Sequence, residues 1–236
     1  EIRHYISGML KRLWPEKEAD AMATAIIKEY TGIDNARQLA FGDRIPDSEA
    51  ADRIMMATRR ASAGEPLQYI FGYTIFCGHR IGVQPGVLIP RPETEEMVSL
   101  IISENRGFTG TAADLCTGSA CIAISLSLAF PDATVIAMDN SDKALKVAAQ
   151  NISATCAAVQ LLKADILKQE PATLPATDII VSNPPYVTES EKRAMHINVL
   201  DHEPHDALFV PDTDPLIYYR HIIAVADVAL TPRGSL

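Results

Sequence analysis

The four residues Asn183-Pro184-Pro185-Tyr186 combine one side-chain amide, one aromatic ring and two prolines. Each proline lacks a backbone N–H and fixes its own φ angle, and the residue before it is kept out of helical conformations. The side-chain oxygen of Asn183 and the carbonyl oxygen of Pro184 are therefore rigid hydrogen-bond acceptors, and Tyr186 can stack on a planar group. This arrangement suits a substrate amide or aromatic amine held by its N–H groups. Taken alone, it also fits a turn that ends a strand.

A second candidate site is the turn DLCTGSA, which joins a predicted strand to a predicted helix. Gly118 allows the backbone to approach a ligand, and the helix N-terminus supplies free N–H groups. The turn does not match the dinucleotide fingerprint G-x-G-x-x-G. It is similar to the shorter Asp-x-Gly-x-Gly-x-Gly loop of S-adenosylmethionine-dependent methyltransferases. The candidate cofactor-binding residues of this turn are Asp114, Cys116, Thr117, Gly118, Ser119 and Ala120.

Polar residues also lie at the ends of the following apolar strands, at Asp139, Asp165 and Asn183. Asp139 can accept two hydrogen bonds from a ribose diol, about 20 residues after the glycine turn. Asp165 can accept a hydrogen bond from an adenine amino group, and Ile166 can pack on the ring. Singly, Asp139 also fits a helix cap and Asp165 an ordinary strand end. Together with the glycine turn, these residues predict an adenosyl cofactor, S-adenosyl-L-methionine.

A methyl donor gives the Asn-Pro-Pro-Tyr sequence a specific role. An amide nitrogen is a poor nucleophile because its lone pair is delocalised, so its hydrogens must be engaged and its π face presented to the methyl group. Catalysis would then consist mainly of positioning and electrostatic support. The nitrogen loses a proton after transfer, so no strong base is required. The predicted catalytic residues are Asn183, Pro184, Pro185 and Tyr186.

Three parts of the chain must position these residues. Residues 1–64 have helical periodicity with helix start and stop signals, and predict a small helical bundle. Residues 65–90 are rich in β-branched and aromatic residues and predict a β-hairpin linker. Residues 91–236 alternate strands with helices, which predicts an open, mostly parallel α/β sheet. The chain ends at TPRGSL, a Pro-x-Gly turn followed by Leu, which is how another strand would begin.

The composition restricts the partners and the compartment. A net charge of −9 argues against a surface that wraps nucleic acid. The four cysteines, which are Cys77, Cys116, Cys121 and Cys156, include no Cys-x-x-Cys pair and predict reduced thiols. No segment reaches the roughly 18 apolar residues of a membrane helix, and no signal peptide is visible. We therefore expect a cytoplasmic protein without membrane or nucleic-acid partners.

Four segments, GEPLQYIFGYTIFCG, LIPRPETEEMV, SNPPYV and EPHDALF, resemble the HemK/PrmC family of protein-(glutamine-N5) methyltransferases. The resemblance covers residues from about 60 to the end, and the helical N-terminal part also fits. It implies a class I, Rossmann-like methyltransferase fold at residues 91–236, whose sheet has seven strands in this family. Because the chain ends where the fifth strand would begin, we expect four strands with an open edge and a domain truncated before its last strands. It also implies a cytoplasmic, monomeric enzyme that methylates the glutamine of the Gly-Gly-Gln motif in bacterial peptide chain release factors and releases S-adenosyl-L-homocysteine.

The family pattern assigns roles by position. Residues 116–120, Asp139, Ile166 and Asn183 would contact the cofactor, and residues 183–186 would hold the substrate glutamine. The segment from Arg91 to Glu95, including Glu93, would form the rim of the substrate site. Residues 1–64 would bind the release factor. The chain departs from the wider methyltransferase pattern at Cys116 and Ala120, where that pattern has glycine. We expect Ala120 to reduce cofactor affinity without abolishing binding.

Two other functions are compatible with parts of this pattern. An adenine-N6 DNA or RNA methyltransferase would use the same Asn-Pro-Pro-Tyr sequence, but it needs a region that recognises an extruded base. A non-catalytic, truncated homologue would bind no cofactor. A metal site is a further alternative for the acid- and histidine-rich segment, but its spacing lacks a compact ligand motif, so we expect no metal. The residues of that segment are His196, Asp201, His202, Glu203, His205 and Asp206.

Overall fold

The computed structural model describes residues 2–34, 47–168 and 174–236. The chain divides into two compact units, one formed by Glu1–Gly72 with His196–His202, the other by Tyr73–Met195 with Glu203–Leu236. The predicted domains, with boundaries after residues 64 and 90, stay a prediction, and residues 35–46 of the predicted bundle lie outside the described residues. Within the described ranges, no helix has the length and apolar character needed to cross a membrane.

The helices and strands are numbered in chain order. The helices of the described residues are α1 Ile2–Leu10, α2 Glu16–Thr31, α3 Ser48–Ser62, α4 Leu67–Phe71, α5 Pro92–Glu104, α6 Cys121–Ala129, α7 Asp142–Thr155, α8 Ile197–His202 and α9 Ile217–Ala229. The strands are β1 Tyr73–Phe76, β2 His79–Gly82, β3 Thr111–Leu115, β4 Thr134–Asp139, β5 Val159–Lys163, β6 Thr177–Ser182, β7 Val187–Thr188, β8 Phe209–Val210 and β9 Leu230–Ser235. Short 3₁₀ helices span Glu189–Ala194 and His205–Ala207.

The first unit is helical, as its periodicity predicts. Helix α2 follows Pro15 and ends at Gly32, whose φ of 68° is left-handed and suits glycine. Asp47 caps the N-terminus of helix α3, because its side chain accepts a hydrogen bond from the backbone N–H of Ala50 at 2.8 Å. The indole N–H of Trp14 donates to the carbonyl oxygen of Ala61 at 3.0 Å, so the buried ring keeps its polar group satisfied.

A five-stranded parallel sheet in the order β5-β4-β3-β6-β9 forms the centre of the second unit. The fold class predicted from the strand–helix alternation is confirmed. The expectation of four strands is wrong, because residues 230–235 pair with β6 as a fifth strand. Asp178 helps to hold this part of the sheet. Its carboxylate accepts hydrogen bonds from the backbone N–H of Thr111 and from the hydroxyl of Thr231, both at 2.9 Å.

The register of the sheet brings the candidate residues to one edge. Leu115 pairs with Met138 on one side and with Ser182 on the other. Asp139 pairs with Lys163 at the end of β5. The residues that follow these strands therefore emerge side by side at the carboxyl edge, where open α/β sheets bind ligands.

The hairpin β1–β2 belongs to this second unit and is antiparallel. Its turn consists of Cys77 and Gly78, with φ angles of 48° and 77°. The backbone N–H of Cys77 donates to the carboxylate of Glu95 at 2.8 Å. The buried side chains of Phe76 and Ile81 pack into the core beneath α6.

Candidate active site

The turn between β3 and α6 has an alternating left-handed backbone. The φ angles of Cys116, Gly118 and Ala120 are 60°, 57° and 64°. These are the three positions at which the wider methyltransferase pattern has glycine. A left-handed conformation costs a non-glycine residue about 1–2 kcal/mol. The contacts that hold the turn in shape must therefore offset this cost at Cys116 and Ala120. Burial raises the pKa of the Cys116 thiol to about 12, which keeps it neutral.

Neighbouring elements hold the turn in place. The backbone N–H of Thr117 donates to the carbonyl oxygen of Met138 at 2.9 Å, and that of Gly118 donates to the carboxylate of Asp139 at 2.8 Å. From α7, the buried side chain of Asn151 donates to the carbonyl oxygens of Ser119 at 2.9 Å and Gly82 at 3.0 Å. The turn is thus tied to β4, α7 and the hairpin.

Asp114 lies under the turn and is fully buried. One of its oxygens, Oδ2, accepts hydrogen bonds from the Thr117 hydroxyl at 2.5 Å and the Ala123 backbone N–H at 3.2 Å. The other oxygen, Oδ1, has no hydrogen-bond partner among the described residues. Burial disfavours the charged carboxylate and raises the pKa of Asp114 to about 7.

A pocket opens above the turn at the carboxyl edge of the sheet, and all its lining residues belong to the second unit. The predicted site residues that line it are Cys116, Thr117, Gly118, Ser119, Asp139, Ile166, Asn183 and Pro185. A β-carbon added at Gly118 would meet no protein atom within 4 Å, so the glycine leaves open space. The pocket is also lined by two further charged residues, Lys143 and Asp206.

Several predicted residues lie outside the pocket lining. Asp165 lines an adjoining pocket and pairs with Lys168, with 3.0 Å between the charged atoms. Ala120 is buried at the start of α6, and Pro184 is also buried. Tyr186 is 55% exposed, which leaves its ring accessible.

The Asn183 side chain is oriented by Thr94, in the first turn of α5. The Asn183 amide nitrogen donates to the Thr94 hydroxyl oxygen at 3.1 Å. Among the described residues, none donates to the Asn183 side-chain oxygen, which is therefore available as an acceptor. The sequence predicts residues 91–95 at the rim but gives no link between Thr94 and Asn183. The two residues are 89 positions apart, and no local pattern links them.

The predicted rim residues differ in their surroundings. Arg91 forms an ion pair with Glu203, with 2.7 Å between the Arg91 Nη2 and the Glu203 Oε1. Glu93 is exposed in the first turn of α5, where an acid stabilises the helix dipole.

Tyr218, from α9, was not among the predicted site residues, although it lines the pocket. The helical periodicity of this segment does not distinguish Tyr218 from its neighbours as a pocket residue.

The acid- and histidine-rich segment is divided between the two units. His196 stacks on Trp14 in the first unit, with ring centroids 5.1 Å apart. Glu203 instead binds Arg91 in the second unit. Across residues 2–34, 47–168 and 174–236, no group of three or more His, Cys, Asp or Glu side chains is arranged to hold a metal ion.

Known proteins resemble this chain along its length. The family model described as "PrmC N-terminal domain" matches residues 1–72, and "Methyltransferase small domain" matches residues 94–208. A release factor glutamine methyltransferase from Bacteroides thetaiotaomicron is 44% identical over 236 residues, which are 100% of this chain and 84% of the relative. One from Flavobacterium psychrophilum is 46% identical over 231 residues, covering 96% of this chain and 81% of the relative. This chain belongs to the release factor glutamine methyltransferase family.

Proposed function

We propose that this chain transfers a methyl group from S-adenosyl-L-methionine to the side-chain nitrogen of the glutamine in the Gly-Gly-Gln motif of bacterial peptide chain release factors. The observation that carries the proposal is the orientation of Asn183. Its amide nitrogen is engaged by Thr94, so its side-chain oxygen is left to accept an N–H from a planar substrate group at the pocket. The names of the relatives, release factor glutamine methyltransferases, support glutamine as that group.

The pocket residues fit S-adenosylmethionine. Asp139 lies at a strand end on the pocket wall, where a carboxylate can accept hydrogen bonds from a ribose diol. The open space at Gly118 lets a ligand approach the backbone of the turn. Two carboxylates, of Asp139 and Asp206, outnumber the single Lys143 on the pocket wall and favour a cationic ligand.

The apolar part of the pocket suits an adenine ring. Ile166 is buried at the pocket wall beside Ala164, and Met138 contributes from the end of β4. Asp165, in the adjoining pocket, already bonds Lys168 and the backbone N–H of Leu167, and it would accept from an amino group at the edge of the ring through a remaining lone pair. When bound, S-adenosylmethionine would supply an electrophilic methyl group. Residues of this chain would bind and position the substrate for the transfer.

These residues would act by positioning the substrate amide. The Asn183 side-chain oxygen and the Pro184 carbonyl oxygen each accept one N–H of the glutamine amide, and the exposed Tyr186 ring stacks on its plane. Holding both hydrogens aligns the nitrogen with its π face free and supports the positive charge that grows on it. After transfer the nitrogen releases one proton, which solvent can accept, so no basic side chain is needed.

The surroundings of Tyr186 support this role. After Tyr186 the chain forms β7, which pairs in parallel with β8. The backbone N–H of Val187 donates to the carbonyl oxygen of Leu208 at 3.0 Å. Before Asn183, the hydroxyl of Ser182 donates to the carbonyl oxygen of Leu115 at 2.7 Å. Anchored on both sides, residues 183–186 present their acceptors in a fixed geometry, as amide positioning requires.

A label-transfer experiment tests the proposal. The protein is incubated with methyl-labelled S-adenosylmethionine and, in separate reactions, a release factor, the same release factor with the motif glutamine replaced by alanine, and DNA. We expect label in the intact release factor alone. Label in DNA alone would contradict the proposal and favour an adenine-N6 methyltransferase. We further propose that the enzyme is a cytoplasmic monomer, and light scattering of the purified protein tests the oligomeric state.

A further inference from the structure

We propose that Glu203 is a positioning residue for Asn183, acting through Arg91 and the first turn of α5. The Glu203 carboxylate forms hydrogen bonds to the Arg91 side chain and the Ile89 backbone, and the sequence alone gives Glu203 no positioning role, although it begins the EPHDALF segment and was weighed as a metal ligand. The inference rests on the proposed function for its kinetic readout only, because its structural readout requires neither cofactor nor substrate.

The Glu203 carboxylate is buried and has both oxygens engaged. The residue is 5% exposed. Oε1 accepts a hydrogen bond from the Arg91 guanidinium at 2.7 Å, and Oε2 accepts one from the backbone N–H of Ile89 at 3.2 Å. A carboxylate is costly to bury unless its partners are well placed. Glu203 therefore fixes both the side chain of Arg91 and the backbone two residues before it.

Arg91 passes this constraint to α5. It is the N-terminal flanking residue of that helix, in an extended conformation with φ −100° and ψ 147°. Its carbonyl oxygen accepts hydrogen bonds from the backbone N–H groups of Thr94 at 3.1 Å and Glu95 at 3.2 Å. The position of the Arg91 backbone thus sets the position of the first helical turn.

Thr94 completes the connection, because its hydroxyl oxygen accepts the hydrogen bond from the Asn183 amide nitrogen. This contact holds the Asn183 side chain at the pocket, where a substrate that offers N–H donors needs an acceptor. A shift of Thr94 weakens the contact and lets the Asn183 amide leave the position in which its oxygen faces the substrate. The residue next to Glu203 also matters, because Pro204 lines the pocket with Thr94 and Asn183.

The test uses Glu203→Gln, Thr94→Val and the double variant. Glutamine keeps one oxygen but places an NH₂ group against either the Arg91 guanidinium or the Ile89 N–H, so one link is lost. We expect Glu203→Gln to lower kcat about tenfold, since small displacements of positioning groups have effects of this size, and to change KM for the release factor less than about twofold. Because both residues act through one connection, the double variant should be no slower than Thr94→Val alone.

Asp178→Asn is the matched control. Asp178 is also a carboxylate that accepts one backbone and one side-chain hydrogen bond, but it lies at the start of β6, at the opposite edge of the sheet. We expect this variant to lose stability with kcat unchanged. An equal fall of kcat in Asp178→Asn and Glu203→Gln would overturn the inference, and so would a double variant slowed by the product of the two single effects.

A structural readout separates this inference from the proposed function. In the free protein, the NMR signals of the Asn183 side-chain NH₂ group should move in Glu203→Gln toward their positions in Thr94→Val, and should stay in place in Asp178→Asn. Unmoved signals in Glu203→Gln would overturn the inference. If the signals move but no label reaches a release factor, the connection stands and the proposed function is wrong.

Discussion

Replacing Asp114 by asparagine should change how the stability of this protein depends on pH. Asp114 is fully buried, and burial raises its pKa from the ordinary value of 3.8 to about 7. In the unfolded chain the carboxyl ionises near its ordinary value. A raised pKa in the folded state means that the stabilising contribution is complete in acid and is lost as the pH rises through about 7.

The size of the effect follows from the two pKa values. Between pH 5 and pH 8 the unfolded carboxyl is already ionised, whereas the folded one must lose its proton in an environment that disfavours the charge. Linkage over this interval gives a loss of about 2–3 kcal/mol in the free energy of unfolding of the native protein. Asparagine cannot ionise, and its side-chain oxygen can still accept the hydrogen bonds from Thr117 and Ala123. The free energy of unfolding of Asp114→Asn should therefore rise by about 2–3 kcal/mol relative to that of the native protein between pH 5 and pH 8.

Urea unfolding at several pH values measures this difference directly, and other titrating groups cancel between the two proteins. Asp178→Asn is the control, because hydrogen bonds from Thr111 and Thr231 lower the pKa of Asp178. Its stability difference from the native protein should be constant between pH 5 and pH 8. If the difference for Asp114→Asn is equally constant, the buried carboxyl does not titrate in this range and the reasoning from its burial is wrong.

Three further substitutions test other parts of the site. Asn183→Ala should lower methyl transfer at least about 100-fold, because a key acceptor is lost, while circular dichroism shows an unchanged melting temperature. Gly118→Ala should cost about 1 kcal/mol of stability from its left-handed φ and weaken S-adenosylmethionine binding about tenfold in calorimetry, because the new methyl group would occupy the open space at the turn. Asn151→Ala should lower the free energy of unfolding by about 2–3 kcal/mol in urea, since it leaves buried backbone groups of Gly82 and Ser119 without partners. Unaltered activity, binding or stability in the respective variant would contradict each expectation.

Local sequence signals were sufficient for the sheet and for the edge at which the pocket forms. Apolar strands that alternate with helices have few ways to bury their surfaces, and parallel strands bring their carboxyl ends together. The sequence therefore predicts that the residues at or just after the ends of β3, β4 and β6 lie close together. These residues include Gly118, Asp139 and Asn183. Their roles as cofactor and substrate ligands stay predictions.

The fifth strand could not be predicted in the same way. Residues 230–235 contain Pro232 and Gly234, which normally indicate a turn. They form β9 because the edge of β6 offers unpaired backbone groups and Asp178 accepts a hydrogen bond from Thr231. Tertiary pairing here outweighs the local preference of the residues.

The contacts that orient the site were also outside the reach of sequence patterns. Thr94 and Asn183 are 89 positions apart, and Arg91 and Glu203 are 112 positions apart. Local sequence patterns do not reach across separations of this length. The left-handed backbone at Cys116 and Ala120 was similarly hidden, because neither residue type favours that conformation.

Methylation of the glutamine in a Gly-Gly-Gln motif is tested most directly by tandem mass spectrometry. A release factor is incubated with the protein and S-adenosylmethionine, and the spectra locate the modified residue. We expect one added methyl group on the motif glutamine, absent when Asn183→Ala replaces the native protein. A methyl group on a different residue, or an unmodified motif glutamine in a reaction that consumes S-adenosylmethionine, would contradict it.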